Sequence, residues 1–419
     1  MSIWKPTRSW LVPRAKGLAL FLAVLGPGII TSNVDNDAGG LATYSLAGAE
    51  YGYSLIWTLV PIAILLFVVQ EMAMRMGVVT GKGLSDLIRE RFGVRVTFYL
   101  MGALVFLNLT NTWAEFAGIA ASMSIFGVSK YISVPAAAML VWLMVVKGSY
   151  KRVEKMFLVA CLVYVSYIIA GVIVKPQWSE VLRGTLVPSL EWDVSALAMV
   201  VGLVGTTIAP WMQFYLQASV VEKGVKKTEY RMAYWDVVVG TVVVNVVAFF
   251  IIVACGATIF PAGIQIRDAA DAAVALRPLA GEYASFLFAF GLLNASLFAA
   301  SILPLSTSFT VSEAFGWEAG VNKKFAEAPG FYSLYTSIIG VGAAGVLWPH
   351  LPLFKVMYWS QVLNGIALPV VILLMLLLIN DRRLMGDFVN NRLQNIIAVV
   401  VGALVSVATV AMIISSFSF

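Results

Sequence analysis

Within one apolar stretch, residues 26–53 (GPGIITSNVDNDAGGLATYSLAGAEYGY), the chain places Asp35, Asn36, Asp37, Ala38, Gly39 and Gly40 in succession. Carboxylates, an amide oxygen and a glycine-loosened backbone are what a hard cation needs as ligands. Hydrocarbon satisfies no hydrogen bonds, so a backbone broken there must be buried in protein or line a wet cavity, its freed carbonyls facing something polar. Acidic side chains inside a membrane span are costly and therefore functional suspects, Asp37 first among them. The plainer alternative for Asp37 is a helix cap, and capping would explain Asp35 or Asn36 equally well.

A second interruption, Gly205-Thr206-Thr207-Ile208-Ala209-Pro210, lies in another apolar stretch, where the proline lacks an N–H and crowds the preceding turn. Glu115 and Gln361 are isolated polar residues in further apolar runs. Glu115 either reaches the ion site or partners a buried amide such as Asn108 or Asn111, and Gln361 either contacts the ion's water or bridges helices. Trp211 either packs or narrows the cavity. Glu71, Asp236, Asn245, Asn294 and Glu313, near or inside spans, are assigned to packing or to the inner vestibule.

Composition explains what must hold these residues. Of 419 residues, 60% are hydrophobic and 12% charged, with a mean hydropathy of +0.90, which excludes an ordinary soluble globule. Spans of about twenty apolar residues are expected at 18–52 (interrupted), 54–74, 97–126, 131–147, 156–174, 195–220 (interrupted), 233–259, 283–312, 331–348, 353–379 and 394–416. The whole chain is one transmembrane domain, all-α, with eleven spans. Cys161 and Cys255 lie in apolar runs, so no disulfide framework is expected. The basic N-terminus runs into the first span without a cleavage site and is taken as a cytosolic arm.

Orientation follows from the basic residues. With the N-terminus inside and the C-terminus outside, 22 of 28 Lys and Arg fall on the inner face. The net charge of +6 is then mainly topogenic, and nucleic acid loses its support as a partner. The segment 81–93, GKGLSDLIRERFG, is expected to be a short helix, either lying along the membrane or solvated, with solvation favoured.

Two interrupted spans, five apart, point to a carrier built from inverted repeats, 18–174 and 195–379, with 394–416 an extra C-terminal helix and the substrate site between the breaks. A membrane hydrolase would need clustered ligands or a nucleophile with its base, and the one histidine, His350, stands in a connecting loop, WPHLP. A sodium-coupled carrier of organic anions is disfavoured by the acidic break.

At these residues the chain resembles the Nramp family of divalent transition-metal transporters. The matches are GPG at 26–28, Ala42-Thr43, Ala47-Gly48, YGY at 51–53, Gln70-Glu71, VVTGKGL from Val78, Ala114-Glu115, KRVEK from Lys151 and Ser360-Gln361. The resemblance implies a LeuT-type fold, alternating access and a divalent cation between the first and sixth spans. It implies no cofactor, the metal being cargo, and no obligatory protein partner beyond the lipid bilayer, in what is expected to be a prokaryotic plasma membrane. Three departures stand out. The family's Asp-Pro-Gly-Asn reads Asp37-Ala38-Gly39-Gly40, its Met-Pro-His reads Ala209-Pro210-Trp211, and an aspartate of its third span, used for proton traffic, aligns with Thr112. This pattern resembles the branch known as Nramp-related magnesium transporters.

Loss of the thioether removes a soft ligand that favours transition metals, leaving oxygen and water, which suit Mg²⁺ and Mn²⁺. Gly40 and Ala209 leave room for a partly hydrated ion. The expected ligand set is Asp37, backbone carbonyls near Asn36 and Thr206, and Glu115, Gln361 and Asp35 at the hydration shell. Without a histidine relay and with Thr112 replacing an acid, uniport without proton coupling is expected. The alternatives kept are a proton-coupled Mn²⁺/Fe²⁺ symporter and a non-transporting receptor or scaffold on the same fold.

Overall fold

The structure is a computed structural model that describes residues 36–147, 161–190, 193–321 and 323–416. The N-terminal arm, the GPG run, Asp35, the first half of the first span, the KRVEK run and the start of the fifth span lie outside the described residues. Among the described residues every regular element is helical.

The principal helices are α1 (Ala38–Tyr51), α2 (Leu59–Thr80), α3 (Leu84–Ile125), α4 (Lys130–Val146), α5 (Val165–Ile173), α6 (Val194–Thr207), α7 (Pro210–Glu222), α8 (Tyr230–Thr258), α9 (Ala284–Phe315), α10 (Pro329–Val346), α11 (Leu353–Ile379) and α12 (Arg392–Ser416). Each expected span contains one of these, and the sixth contains two. Seven helical segments of the described residues are long and apolar enough to cross a membrane, and 130–146 adds a shorter apolar helix. The protein is a multi-pass integral membrane protein.

Local chemistry sets both interruptions. Asp37 adopts an extended conformation (φ −72°, ψ −172°) and caps α1 by accepting from the Gly40 N–H at 2.7 Å. The helix therefore begins at Ala38, so Gly39 and Gly40, expected within the break, lie in its first turn. The second break is narrower than expected, confined to Ile208 and Ala209. A residue before proline is driven out of the helical region, and Ala209 is extended (φ −68°, ψ 140°). Pro210 then serves as the first residue of α7, where its missing N–H costs nothing. That same absence leaves the Thr206 carbonyl, one helical turn back, without its helical donor.

The segment 81–93 forms the expected short helix, from Leu84 to a sharp kink at Gly93, but only one of its faces is solvated. Gly93 divides it from the long remainder of α3, with a φ of 80° that a residue with a β-carbon would adopt only with strain. Leu84, Leu87 and Ile88 are buried on one side while Glu90 and Arg91 face out. The Ser85 hydroxyl donates to Glu313 at 2.9 Å and Arg89 to the Ala314 carbonyl at 3.1 Å, fastening the segment to the end of α9.

Around the breaks the helices approach at backbone distance, as membrane helices do where small residues meet. A β-carbon on Gly205 would lie 2.0 Å from the Gln361 carbonyl oxygen, and one on Gly365 would lie 2.2 Å from that of Val201, so α6 and α11 are in direct backbone contact. A β-carbon on Gly118 would lie 2.6 Å from that of Ala38, seating α1 against α3. A β-carbon on Gly48 would lie 2.5 Å from the Ile252 carbonyl oxygen, seating α1 against α8.

Candidate metal site at the two helix breaks

Asp37, at the tip of α1, is almost fully buried. Capping and ion binding are not exclusive, since one carboxylate oxygen accepts from Gly40 while each oxygen carries further lone pairs. Glu115, in the C-terminal part of α3 and wholly buried, accepts from the Ala38 N–H at 3.3 Å. Its carboxyl is an electrostatic neighbour of the Asp37 carboxyl, and its other oxygen, Oε1, has no partner. The buried group that Glu115 partners is the Ala38 N–H, not Asn108 or Asn111. Asn108 donates instead to the Thr307 hydroxyl at 2.7 Å, and Asn111 pairs with Asn364.

Asn36 is buried with both side-chain polar atoms unpartnered. Its carbonyl, expected to face the ion, accepts from the Tyr164 hydroxyl at 2.7 Å, so a side chain from the fifth span already meets the broken backbone there. Thr206 is buried and its hydroxyl is unpartnered. Unsatisfied buried oxygens are expensive, and together the unpartnered atoms of Asn36, Glu115 and Thr206 suit a ligand rich in hydrogen-bond donors or positive charge.

Gln361 comes to the site from α11. It packs so tightly on Gly39 that a β-carbon there would lie 1.8 Å from its amide nitrogen. Its amide oxygen accepts from Asn364 of the same helix at 3.0 Å, and Asn364 in turn forms a reciprocal amide pair with Asn111 of α3 at 3.0 Å in both directions. Gln361 thus joins α11 to α1 by packing and reaches α3 only through Asn364. Ala209 is buried, its carbonyl accepting from the Met212 N–H at 3.1 Å and the Gln213 amide at 3.5 Å. Gly40 contributes its N–H to the Asp37 cap and offers no side-chain oxygen. Trp211 is buried against Tyr215, ring centroids 6.2 Å apart. Asp35 lies outside the described residues.

Tyr44, Tyr164 and Asn364, which help hold the site, were not singled out in the sequence. The Tyr44 hydroxyl bonds that of Thr207 at 2.8 Å, joining α1 to the end of α6 across the two breaks. Asn111 and Asn364 stand one turn from Glu115 and Gln361 respectively, a spacing that puts each pair on one helix face. That periodicity was available in the sequence, whereas the contact made by Tyr164 carried no sequence signal. Thr112 is turned away, donating to the Asn108 carbonyl at 2.7 Å, with its methyl against Gly342 of α10.

Glu71, assigned to packing or the inner vestibule, is the centre of a separate buried cluster. It pairs with Arg75 at 2.9 Å and accepts from Tyr230 and from Gln394. Arg75 also donates to Asn390 and to the carbonyls of Phe388 at 3.0 Å and Val389 at 3.1 Å, tying α2 to the chain that leads into α12.

On the Glu50 side of the breaks a cavity of about 1030 Å³ is bounded by Leu46 and Glu50 of α1, Met199 of α6 and Tyr358 of α11. Among the described residues no three His, Cys, Asp or Glu side chains form a metal-holding group. A cation at the breaks would therefore be met by the Asp37 and Glu115 carboxyls, with amide, hydroxyl and carbonyl oxygens supplying the rest.

A family model, Natural resistance-associated macrophage protein-like, matches residues 28–415. The fold is similar to that of a manganese transporter from Eremococcus coleocola in a complex with an aromatic bis-isothiourea substituted compound. That match has a TM-score of 0.73 at 20% identity and covers 99% of this chain and 88% of the other. A mutant of the same transporter gives a TM-score of 0.74 at 20% identity, covering 98% and 88%. A nucleobase-cation-symport-1 family transporter in a closed conformation, with bromovinylhydantoin bound, gives 0.57 at 14% identity, covering 94% and 93%.

Proposed function

The chain belongs to the Nramp family and has the LeuT-type fold, and from that premise we propose that it carries Mg²⁺, and with it Mn²⁺, across the membrane by alternating access as a uniporter. In this reading the two five-helix units, 18–174 and 195–379, are inverted repeats that rock about the breaks, with the N-terminus cytoplasmic and the C-terminus outside. The metal is cargo, and no enzymatic step is involved. The observation that carries the proposal is the donor set itself: Asp37 and Glu115 beside the unpartnered oxygens of Asn36 and Thr206, with neither thioether nor imidazole at Ala209 or Trp211. Mg²⁺ binds oxygen at about 2.0–2.1 Å and keeps several waters. Buried amides and hydroxyls beyond Asp37 would hold those waters.

Uniport is supported by what surrounds Glu115. Along α3 the polar neighbours one turn away are Asn111 and Thr112, followed by Asn108, none of which titrates near neutrality. Each is engaged in a hydrogen bond to a neighbour. The driving force would then be the ion gradient and the membrane voltage, worth about 2.3 kcal/mol per charge per 100 mV and roughly double for a divalent ion.

One observation favours a second reading, a proton-coupled Mn²⁺/Fe²⁺ symporter. Two neighbouring buried carboxyls, Asp37 and Glu115, can hold a proton between them and release it when a cation binds. Purified protein in liposomes loaded with a pH dye separates the two. Uniport requires Mg²⁺ and Mn²⁺ uptake without internal acidification. Stoichiometric acidification would establish the second reading, and absence of any divalent uptake would leave a non-transporting member of the fold.

A further inference from the structure

Between α2, α6 and α12, away from the metal site, lies an apolar groove of about 500 Å³. Ile62, Val200, Val204 and Leu404 form its walls and Trp57 closes one end. Its two polar side chains are already satisfied within the protein. The Trp57 indole N–H donates to the Ser189 carbonyl at 2.9 Å, and the Thr58 hydroxyl to that of Leu55 at 2.7 Å. A cavity with no free polar group holds no ordered water. It runs out onto the bilayer-facing surface of α12, where Leu404 is 60% exposed and Val400, Val407 and Val410 are exposed beside it. The medium at that opening is lipid hydrocarbon.

We infer that the groove is a binding site for one acyl chain of a membrane phospholipid, and that this chain is the yielding neighbour of α6. On its α11 side the helix has no slack, because Gly205 and Gly365 bring the two backbones into direct contact. Toward the groove, α6 presents Val200 and Val204 to an occupant that bends, and Val204 stands just before Thr206 of the metal site. Movement of α6 during transport, which rests on the reading above, therefore requires the chain to shift or leave. Trp57 lines the groove and so reports on its occupant.

The test uses the full chain in nanodiscs of phosphatidylcholine with or without bromine in mid-acyl chain. The emission difference between the wild type and Trp57→Phe isolates the Trp57 signal. Ala408→Phe and Val401→Phe fill the groove from α12 in two independent ways, should either fail to fold. The expected result is strong quenching of Trp57 by the brominated lipid and loss of most of it in the filled variants. Divalent uptake should slow several-fold, with the half-saturating metal concentration unchanged. An unquenched Trp57, or quenching as large in the filled variants as in the wild type, overturns the site, the latter meaning annular lipid alone. Absent quenching with a dimer in solution would assign the groove to a second copy of the chain and also overturns it. Lost quenching with unchanged uptake overturns the role of the chain beside α6. Intact quenching with no uptake by any variant would instead sink the transport reading.

Discussion

The Tyr44 hydroxyl of α1 and the Thr207 hydroxyl of α6 lie 2.8 Å apart in a buried hydrogen bond that joins the two interrupted spans directly. Thr207 also donates to the Leu203 carbonyl at 2.9 Å, so the Tyr44 hydroxyl is the donor in the pair. Tyr44→Phe removes that donor and leaves Thr207 its helical bond. The expected cost is about 0.5–1.5 kcal/mol of stability, read as a lower melting temperature in detergent. Uptake should slow while the half-saturating metal concentration stays the same, because neither hydroxyl belongs to the proposed ligand set.

Asp37 both caps a helix and faces the proposed ion, and two substitutions separate the roles. Asparagine caps as well as aspartate does, whereas alanine costs about 0.5–2 kcal/mol. Asp37→Asn should therefore keep a melting temperature near that of the wild type and Asp37→Ala should lower it, while both abolish or greatly reduce divalent uptake. Uptake retained by Asp37→Asn would remove the charge from the mechanism.

Gly39 has no room for a side chain, since Gln361 fills the space. Gly39→Ala should displace the Gln361 amide at an overpacking cost of about 1–3 kcal/mol. Calorimetry or thermal scanning would measure the loss. Pairing the change with Gln361→Ala should restore stability, and no restoration would mean that the two residues are not in the contact described.

Restoring the family's ligands, Gly40→Asn with Ala209→Met, adds an amide oxygen and a thioether to an oxygen-only site. Soft ligands favour the later transition metals, so competition in proteoliposomes should show Mn²⁺ gaining on Mg²⁺. An unchanged ratio would count against the selectivity argument.

The Glu71–Arg75 pair predicts a different kind of loss. Removing one partner of a buried pair typically costs about 3–5 kcal/mol. Arg75→Ala should accordingly lower the melting temperature more than either break-site substitution, because it also frees the carbonyls of Phe388 and Val389. A loss smaller than that of Tyr44→Phe would show that the cluster is accessible to water.

Patterns confined to a single helix could be read from the residues alone. Apolar length located the spans, Pro210 located the second interruption, and an aspartate ahead of a glycine pair located the first, because proline geometry and capping act within a turn or two of the chain. Where the half-helix after Asp37 begins was misjudged by a few residues, since two glycines looked like loop and a cap recruits them into a helix. Tertiary structure alone decided that Glu115 meets the Ala38 N–H, that Tyr164 reaches the Asn36 carbonyl, that Gln361 lies on Gly39 and that Arg75 holds the approach to α12. Each depends on two helices distant in sequence meeting at a particular rotation and depth. Hydropathy says that a helix crosses the membrane, and only packing says which of its faces looks at which neighbour.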